Sequence, residues 1–359
     1  MDNIKTSIIF FGSGDFPYPT FKTIVENEVY DVKGLVTSPY KPYFYSETLK
    51  DVAERNNIPM FSTHKPNCAE LVEWLKEKEA DVFCVISYKF LSNEILNLPK
   101  ITAFNIHASL LPFFKGAAPI NWAIKYGMKS TGLTSFVMDD KIDSGEIINN
   151  IKIPIEDSDD FGTIYNRLSV LSVGFTIDTI QRITAHRDWR RYLLLQPDYD
   201  LCDVKYMYAP KLTDENTRIS IKYGELPDSD VLYNHIRSLS PNIGTPCKLQ
   251  VYKVYKDENT VPQYHSSLVK EYDIKIYQAH TEPMKLEDIF SSFAKKKIEG
   301  NIITDGKNYI LFRCLTKRSK YLLIDEIQMA GKKKMPIKDF LSGFQWGREK
   351  DVYLVITGE

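Results

Sequence analysis

Three side chains carry the chemistry this sequence can perform without a nucleophilic residue. Asn105 and His107 stand two apart in Phe104-Asn105-Ile106-His107-Ala108-Ser109-Leu110-Leu111-Pro112, at the end of an apolar run. On a strand, residues i and i+2 point to one side, so the carboxamide and the imidazole face one space. An Asn-x-His pair by itself is more often an ordinary pair of satisfied polar residues. The stronger signal is Asp143, in the turn-like Lys141-Ile142-Asp143-Ser144-Gly145-Glu146 between β-type runs at 132–138 and 147–153. A loop carboxylate with glycine beside it can come close enough to meet an imidazole. Together the three suit acyl transfer: amide and imidazole donate to a developing oxyanion, and the carboxylate takes up a proton.

Such a site needs a sheet to present it. Residues 7–11 (SIIFF) and 82–87 (VFCVIS) are short runs of the kind buried parallel strands show, and 32–36, 60–61 and 103–106 read as further strands. Helical spacing lies between them at 19–26, 47–56, 69–78 and 119–125. After the hairpin 132–153, Ile164, Leu168, Leu171 and Phe175 fall on one helix face. Strands alternating with helices from residue 7 to about 185 predict an α/β, mainly parallel sheet covered on both sides. Asn105 and His107 then sit at the carboxyl end of a strand, where such sheets form their crevice. The turn Gly12-Ser13-Gly14 has Pro17 at the third glycine's place, and the second strand ends without an acidic residue. Dinucleotide binding is thereby disfavoured.

At 359 residues, with 43% apolar and 26% charged residues, the chain accommodates two domains of ordinary soluble character. A formal net charge of −1 supplies no global basic field for nucleic acid, although a local patch remains open. Five scattered cysteines without a CxxC, and six histidines without ligand spacing, indicate neither a disulfide framework nor a metal. No signal, transit or membrane-spanning pattern is visible, which predicts a cytoplasmic protein with no membrane partner. No exposed apolar seam is evident, so a monomer is expected.

The composition shifts at 187–208, and the expected division is 1–189, a linker at 190–208, and a second domain at 209–359. Within the latter, a helix at 230–239 with Val231, Ile236 and Leu239 inward precedes β-type runs at 247–254, 273–277, 308–314 and 321–328. Those strands predict a small barrel or open sheet, with 255–271 as an enlarged hairpin loop and a last helix at 337–342. Lysines cluster at 295–297 and as Lys332, Lys333 and Lys334. A solvated turn is the plain explanation, and a phosphate-contacting surface the functional one.

The blocks NIHASLLP, GAAPI and IDSG, with APKLT, IRSLSP and AGKKKMPIKDFL further on, resemble the folate-dependent formyltransferases, most closely the methionyl-tRNA formyltransferases. The likeness runs through most of the chain. It implies a Rossmann-like catalytic domain followed by a smaller, OB-like β-barrel, with 10-formyltetrahydrofolate as co-substrate, no metal, and initiator methionyl-tRNA as acceptor. By position, Asn105, His107 and Asp143 match the catalytic trio. Ser109, Leu110, Leu111 and Pro112 match the folate-contacting loop, and Tyr88 lies where the family walls its pterin pocket. Lys41, Lys115, Lys332, Lys333 and Lys334 are the candidates for tRNA contact. Two departures stand out: the 38–46 loop is short and aromatic, with Tyr43–Tyr45 able to stack on a base or on their own domain, and Phe113-Phe114-Lys115 replaces a basic-aromatic-Arg sequence. A sugar-nucleotide N-formyltransferase would share the trio. A formyltetrahydrofolate hydrolase and a non-catalytic RNA-binding protein are the more distant alternatives.

Overall fold

The computed structural model describes residues 5–40, 42, 44–185, 187–196, 208–221, 226–256, 264–282, 300–315, 321–344 and 351–358. They form two compact units. The first comprises Met1–Ala123, Lys129–Glu156 and Thr163–Lys211, and the second Ile124–Met128, Asp157–Gly162 and Leu212–Glu359.

The first unit opens with β1 (Thr6–Gly12), α1 (Tyr18–Glu26), β2 (Tyr30–Thr37), α2 (Leu49–Arg55), β3 (Met60–Ser62) and α3 (Ala69–Lys78). It continues with β4 (Val82–Ile86), α4 (Asn93–Leu96), β5 (Thr102–His107), the two-residue β6 (Lys115–Gly116) and α5 (Pro119–Lys125). A hairpin, β7 (Ser130–Val137) and β8 (Ile147–Pro154), then leads to the long α6 (Phe161–Ala185). The sheet order is β3-β2-β1-β4-β5-β7-β8. The first five strands are mutually parallel, while β7 runs antiparallel to β5 and β8 antiparallel to β7. This is a Rossmann-like sheet with an antiparallel edge. Ile8, Ile9, Phe10 and Phe11 of β1 and Cys84 and Ile86 of β4 are completely buried, which is why these central strands read as unbroken apolar runs.

After β9 (Tyr208–Ala209), the second unit carries α7 (Asp214–Thr217), α8 (Ser229–Leu239), β10 (Thr245–Lys256) and β11 (Tyr264–Glu282). It ends with β12 (Ile302–Thr304), β13 (Ile310–Phe312), β14 (Tyr321–Met329), β15 (Met335–Pro336), α9 (Ile337–Gly343) and β16 (Val352–Thr357). The antiparallel order β12-β13-β14-β11-β10-β16 makes a nearly closed barrel around Leu249, Val251, Ile276, Phe312 and Ile324. Its seam is closed by a side chain. Asn301 Nδ2 donates to the Ile356 carbonyl at 2.8 Å, and Asn301 Oδ1 accepts from the Ile356 amide at 2.9 Å, as a backbone partner would.

Three details differ from the sequence expectation. On α8 the inward residues are Leu232, Ile236 and Leu239, and Val231 is 65% exposed. Val231 and Leu232 are both apolar, so the helix phase is set by which of them reaches the barrel core. The stretch from Tyr264 onward is not hairpin loop but the first part of β11, paired with β10 as far as Lys256. That ribbon has both sides toward water, with Leu268 and Val269 exposed, so no alternation marks it as a strand. Finally, the short β12 and the late β16 complete the barrel although neither stood out as a β-type run. The lysines 295–297 lie outside the described residues.

Candidate active site

β5 positions the first two residues. Asn105 pairs with Val85 on β4 and with Phe136 on β7, and His107 pairs with Thr134 on β7. Two residues apart on one strand, both side chains leave the same face of the sheet. His107 is buried; Asn105 is half-buried, but its Oδ1 is fully covered and has no hydrogen-bond partner. A buried acceptor left unsatisfied carries a desolvation cost of about 1–3 kcal/mol, so this atom is an acceptor that an incoming donor would stabilise.

The chain after β5 is folded back by its own polar groups. The fully buried Thr134 donates its hydroxyl to the Ser109 carbonyl at 2.7 Å and accepts the Leu111 amide at 3.1 Å. Ser109 Oγ donates to the Phe113 carbonyl at 2.6 Å. Phe114, in the left-handed region at φ 58°, turns its carbonyl onto His107 Nε2 at 2.8 Å. A carbonyl only accepts, so Nε2 bears a proton and the ring is held by it. The opposite nitrogen, Nδ1, lies 3.7 Å from Asp143 Oδ2, too far for a direct hydrogen bond. Imidazole and carboxylate therefore face each other across a gap.

Asp143 sits on the β7–β8 loop, itself at φ 50°. Its Oδ2 accepts the Gly116 amide at 2.7 Å. Gly116 has φ 116°, and a side chain there would put Cβ 2.8 Å from the Ala209 carbonyl oxygen. The loop is tied at several points. Ser144 Oγ donates to the Asp139 carboxylate at 2.8 and 3.0 Å, and Lys141 donates its amide to the same group. At Gly145 a Cβ would fall 1.7 Å from the Val137 carbonyl oxygen, so only glycine fits. Gln196 Nε2 donates to the carbonyls of both Asp143 and Gly145, at 2.9 and 3.0 Å. Nothing in the sequence singled out Gln196, one polar residue before a proline in a stretch expected to be a linker.

The remaining sequence candidates are distributed as follows. Leu111 packs with Phe136 and Ile147, Pro112 is buried, and Leu110 is half-buried. Ser109 is fully buried, with its hydroxyl spent inside the loop, so that loop has its backbone and Leu110 to offer a ligand rather than the Ser109 side chain. Tyr88 follows β4 with its ring edge-on to Phe11 at 5.7 Å and its hydroxyl buried without a partner. Burial pushes that hydroxyl's pKa up to about 12, so it is a neutral donor at physiological pH. Lys41 lies outside the described residues. Lys115 is half-buried in the short pairing of β6 with β9. Lys332, Lys333 and Lys334 are all exposed at the β14–β15 turn, and Lys334 also donates to the Pro241 carbonyl at 2.9 Å and caps the Tyr277 ring at 4.3 Å. Lys334 is thus part of its own domain's scaffold. The aromatic loop is too: Phe44 stacks on Tyr165 and Tyr45 packs against Tyr18, both at 4.6 Å, while Tyr43 is outside the described residues.

Among the described residues no cluster of three or more His, Cys, Asp or Glu could hold a metal ion, and no helix is long and apolar enough to cross a membrane.

Comparison with known proteins accounts for both units. Residues 6–180 match the family model described as formyl transferase, and residues 221–345 the model for the formyl transferase C-terminal domain. The methionyl-tRNA formyltransferase of Flavobacterium johnsoniae is 33% identical over 97% of this chain and 99% of its own length. That of Azobacteroides pseudotrichonymphae is 32% identical over 94% of this chain and 96% of its own. Among solved structures, the sugar 3N-formyl transferase WlaRD, crystallised with dTDP and 5-N-formyl-THF, superposes with a TM-score of 0.57 at 17% identity, covering 91% of this chain and 99% of that one. HypX from Aquifex aeolicus does so at 0.54 and 14%, covering 97% of this chain and 50% of its own. At such identities the structural likenesses speak for the fold alone. The full-length relatives above 30% identity decide the branch: the chain belongs to the formyl transferase family, among the methionyl-tRNA formyltransferases.

Proposed function

We propose that this chain transfers the formyl group of 10-formyltetrahydrofolate to the α-amine of initiator methionyl-tRNA, using Asn105, His107 and Asp143. The observation that carries the reading is the buried, unpartnered Asn105 Oδ1 on the same strand face as an imidazole set against a carboxylate. The incoming amine supplies the missing donor to Asn105 Oδ1, and the amide nitrogen of the same side chain donates to the formyl oxygen as it becomes an oxyanion. His107, held through Nε2 by the Phe114 carbonyl, presents Nδ1 to the reacting centre. With Nδ1 and the Asp143 carboxylate 3.7 Å apart, one donor group lying beside the pair, the amine or a water, reaches both. Asp143, fixed by the Gly116 amide, accepts the proton the amine loses as the new C–N bond forms. Passed from Asp143 to His107 Nδ1, that same proton charges the ring beside the restored carboxylate and then goes to the departing folate nitrogen, which completes the exchange with no covalent enzyme intermediate. The 109–112 loop and the unpartnered Tyr88 hydroxyl are the groups assigned to the folate. Exposed Lys332 and Lys333 are assigned to tRNA phosphate.

The test offers 10-formyltetrahydrofolate with charged initiator tRNA, uncharged tRNA and an amino-sugar nucleotide in separate reactions. Formylation of the charged tRNA alone is expected, with an affinity that falls steeply as salt rises. Transfer to the sugar nucleotide instead would overturn the acceptor assignment while leaving the catalytic trio in place.

A further inference from the structure

We infer that Gln196 is a positioning residue for the reaction, holding the backbone that carries Asp143. The inference rests on the reading of Asp143 as the proton acceptor.

The Asp143 carboxylate stands at the tip of a loop without regular structure, on a residue at positive φ, so its place depends on what fixes that backbone. Besides the ties to Asp139 and Gly116, the loop backbone is held by residues 194–196. Leu194 and Ile147 exchange both backbone hydrogen bonds, at 2.7 and 2.9 Å, as a single antiparallel pair at the start of β8. Beyond that rung the β7–β8 loop leaves the strand, and among the described residues no further backbone hydrogen bond joins the two segments. Two residues on, Gln196 supplies the next rung with its side chain, through one amide nitrogen that donates to the carbonyls on both sides of Ser144. The orientation of the amide is forced. Turned over, its oxygen would face two carbonyl oxygens, and every contact would be repulsive. Gln196 Oε1 remains buried without a partner, so the side chain accepts a desolvation cost to hold these two carbonyls. A carboxylate that must reach across 3.7 Å to an imidazole tolerates little error, since about 1 Å of misplacement reduces turnover by about 100-fold.

The experiment uses the full chain with Gln196→Glu and Gln196→Met, two side chains of nearly the same size. An ionised Glu offers those carbonyls no donor and adds repulsion, and Met offers none at all. Formylation of charged initiator tRNA is followed at varied donor and acceptor, with the melting temperature recorded for each variant. In both variants kcat is expected to fall about 10- to 100-fold, with KM for each substrate within about threefold of wild type and melting unchanged. A kcat within twofold of wild type in Gln196→Met, or a loss carried by KM or by melting, would overturn the inference. Asp143→Asn measured alongside separates the two readings. Full turnover in that variant removes the catalytic assignment itself, whereas an inactive Asp143→Asn with fully active Gln196 variants removes the role of Gln196 alone.

Discussion

Replacing Asp143 by Asn deletes one charge at the site and almost nothing else. The Asp143 carboxylate and His107 Nδ1 are 3.7 Å apart, with side-chain exposures of 11% and 8%, so bulk water screens the pair poorly. Two opposite unit charges at this separation attract by about 4 kcal/mol at an effective dielectric constant of roughly 20. Since about 1.4 kcal/mol is tenfold in rate, an attraction realised only as positive charge grows on the ring corresponds to about 10³-fold in turnover. Partial charge in the transition state, or a group bridging the gap, shares that attraction and sets the lower expectation near ~10²-fold. The fold should not notice. An Asn at 143 still offers an oxygen to the Gly116 amide, and losing charge assistance at one bond costs only about 1 kcal/mol. The assay is steady-state formylation of charged initiator tRNA at saturating donor, with thermal melting as the control for folding. A kcat within tenfold of wild type, in a variant that melts normally, would refute the argument that this carboxylate acts on His107 and the reacting amine.

Three further outcomes follow from the same geometry. Asn105→Leu should remove activity by more than ~10²-fold yet raise stability by about 1 kcal/mol, because it replaces an unpartnered buried acceptor with an apolar group of similar shape; denaturant unfolding beside the transfer assay checks both. Asn301→Ala opens the barrel seam and strands the Ile356 amide and carbonyl, so the second unit should lose about 2–4 kcal/mol, read from its unfolding midpoint. His235 is buried, its Nε2 donating to the Thr217 carbonyl, and burial, with a smaller push from the charge of Lys125, takes its pKa down to about 4. The unfolded chain, with an ordinary histidine near 6.5, then binds more protons than the folded one between pH 6.5 and 4. Stability should be full above pH 6.5 and fall by up to about 3 kcal/mol on acidification to pH 4, a slope that His235→Gln should flatten.

What the sequence makes legible here is whatever burial writes into it periodically. SIIFF and VFCVI are buried on both faces, so β1 and β4 declare themselves, and Asn105 and His107 share a face because strand geometry allows nothing else. Where burial is one-sided and brief, the record thins. Val231 and Leu232 are equally apolar, and only the packed barrel decides between them. The Tyr264 end of β11 has no core to face, so its pairing with β10 leaves no alternation. The site's support is written least of all. The Thr134 hydroxyl that ties down the 109–111 turn, the Asp139 carboxylate under Ser144 and the Gln196 amide under Asp143 are all bonds from a side chain to a loop, and such bonds follow no period. They become visible only when both partners are placed in space. The connection between the two units is held by bonds of the same kind. Its described ends are not slack: Leu194 and Gln196 are tied to β8 and the Asp143 loop, and Ala209 accepts the amides of Ala117 and Ala118, beside the Gly116 that holds the Asp143 carboxylate. Composition marks the stretch as a linker because it lacks an apolar face. Its hydrogen bonds make both ends part of the scaffold that aims the carboxylate.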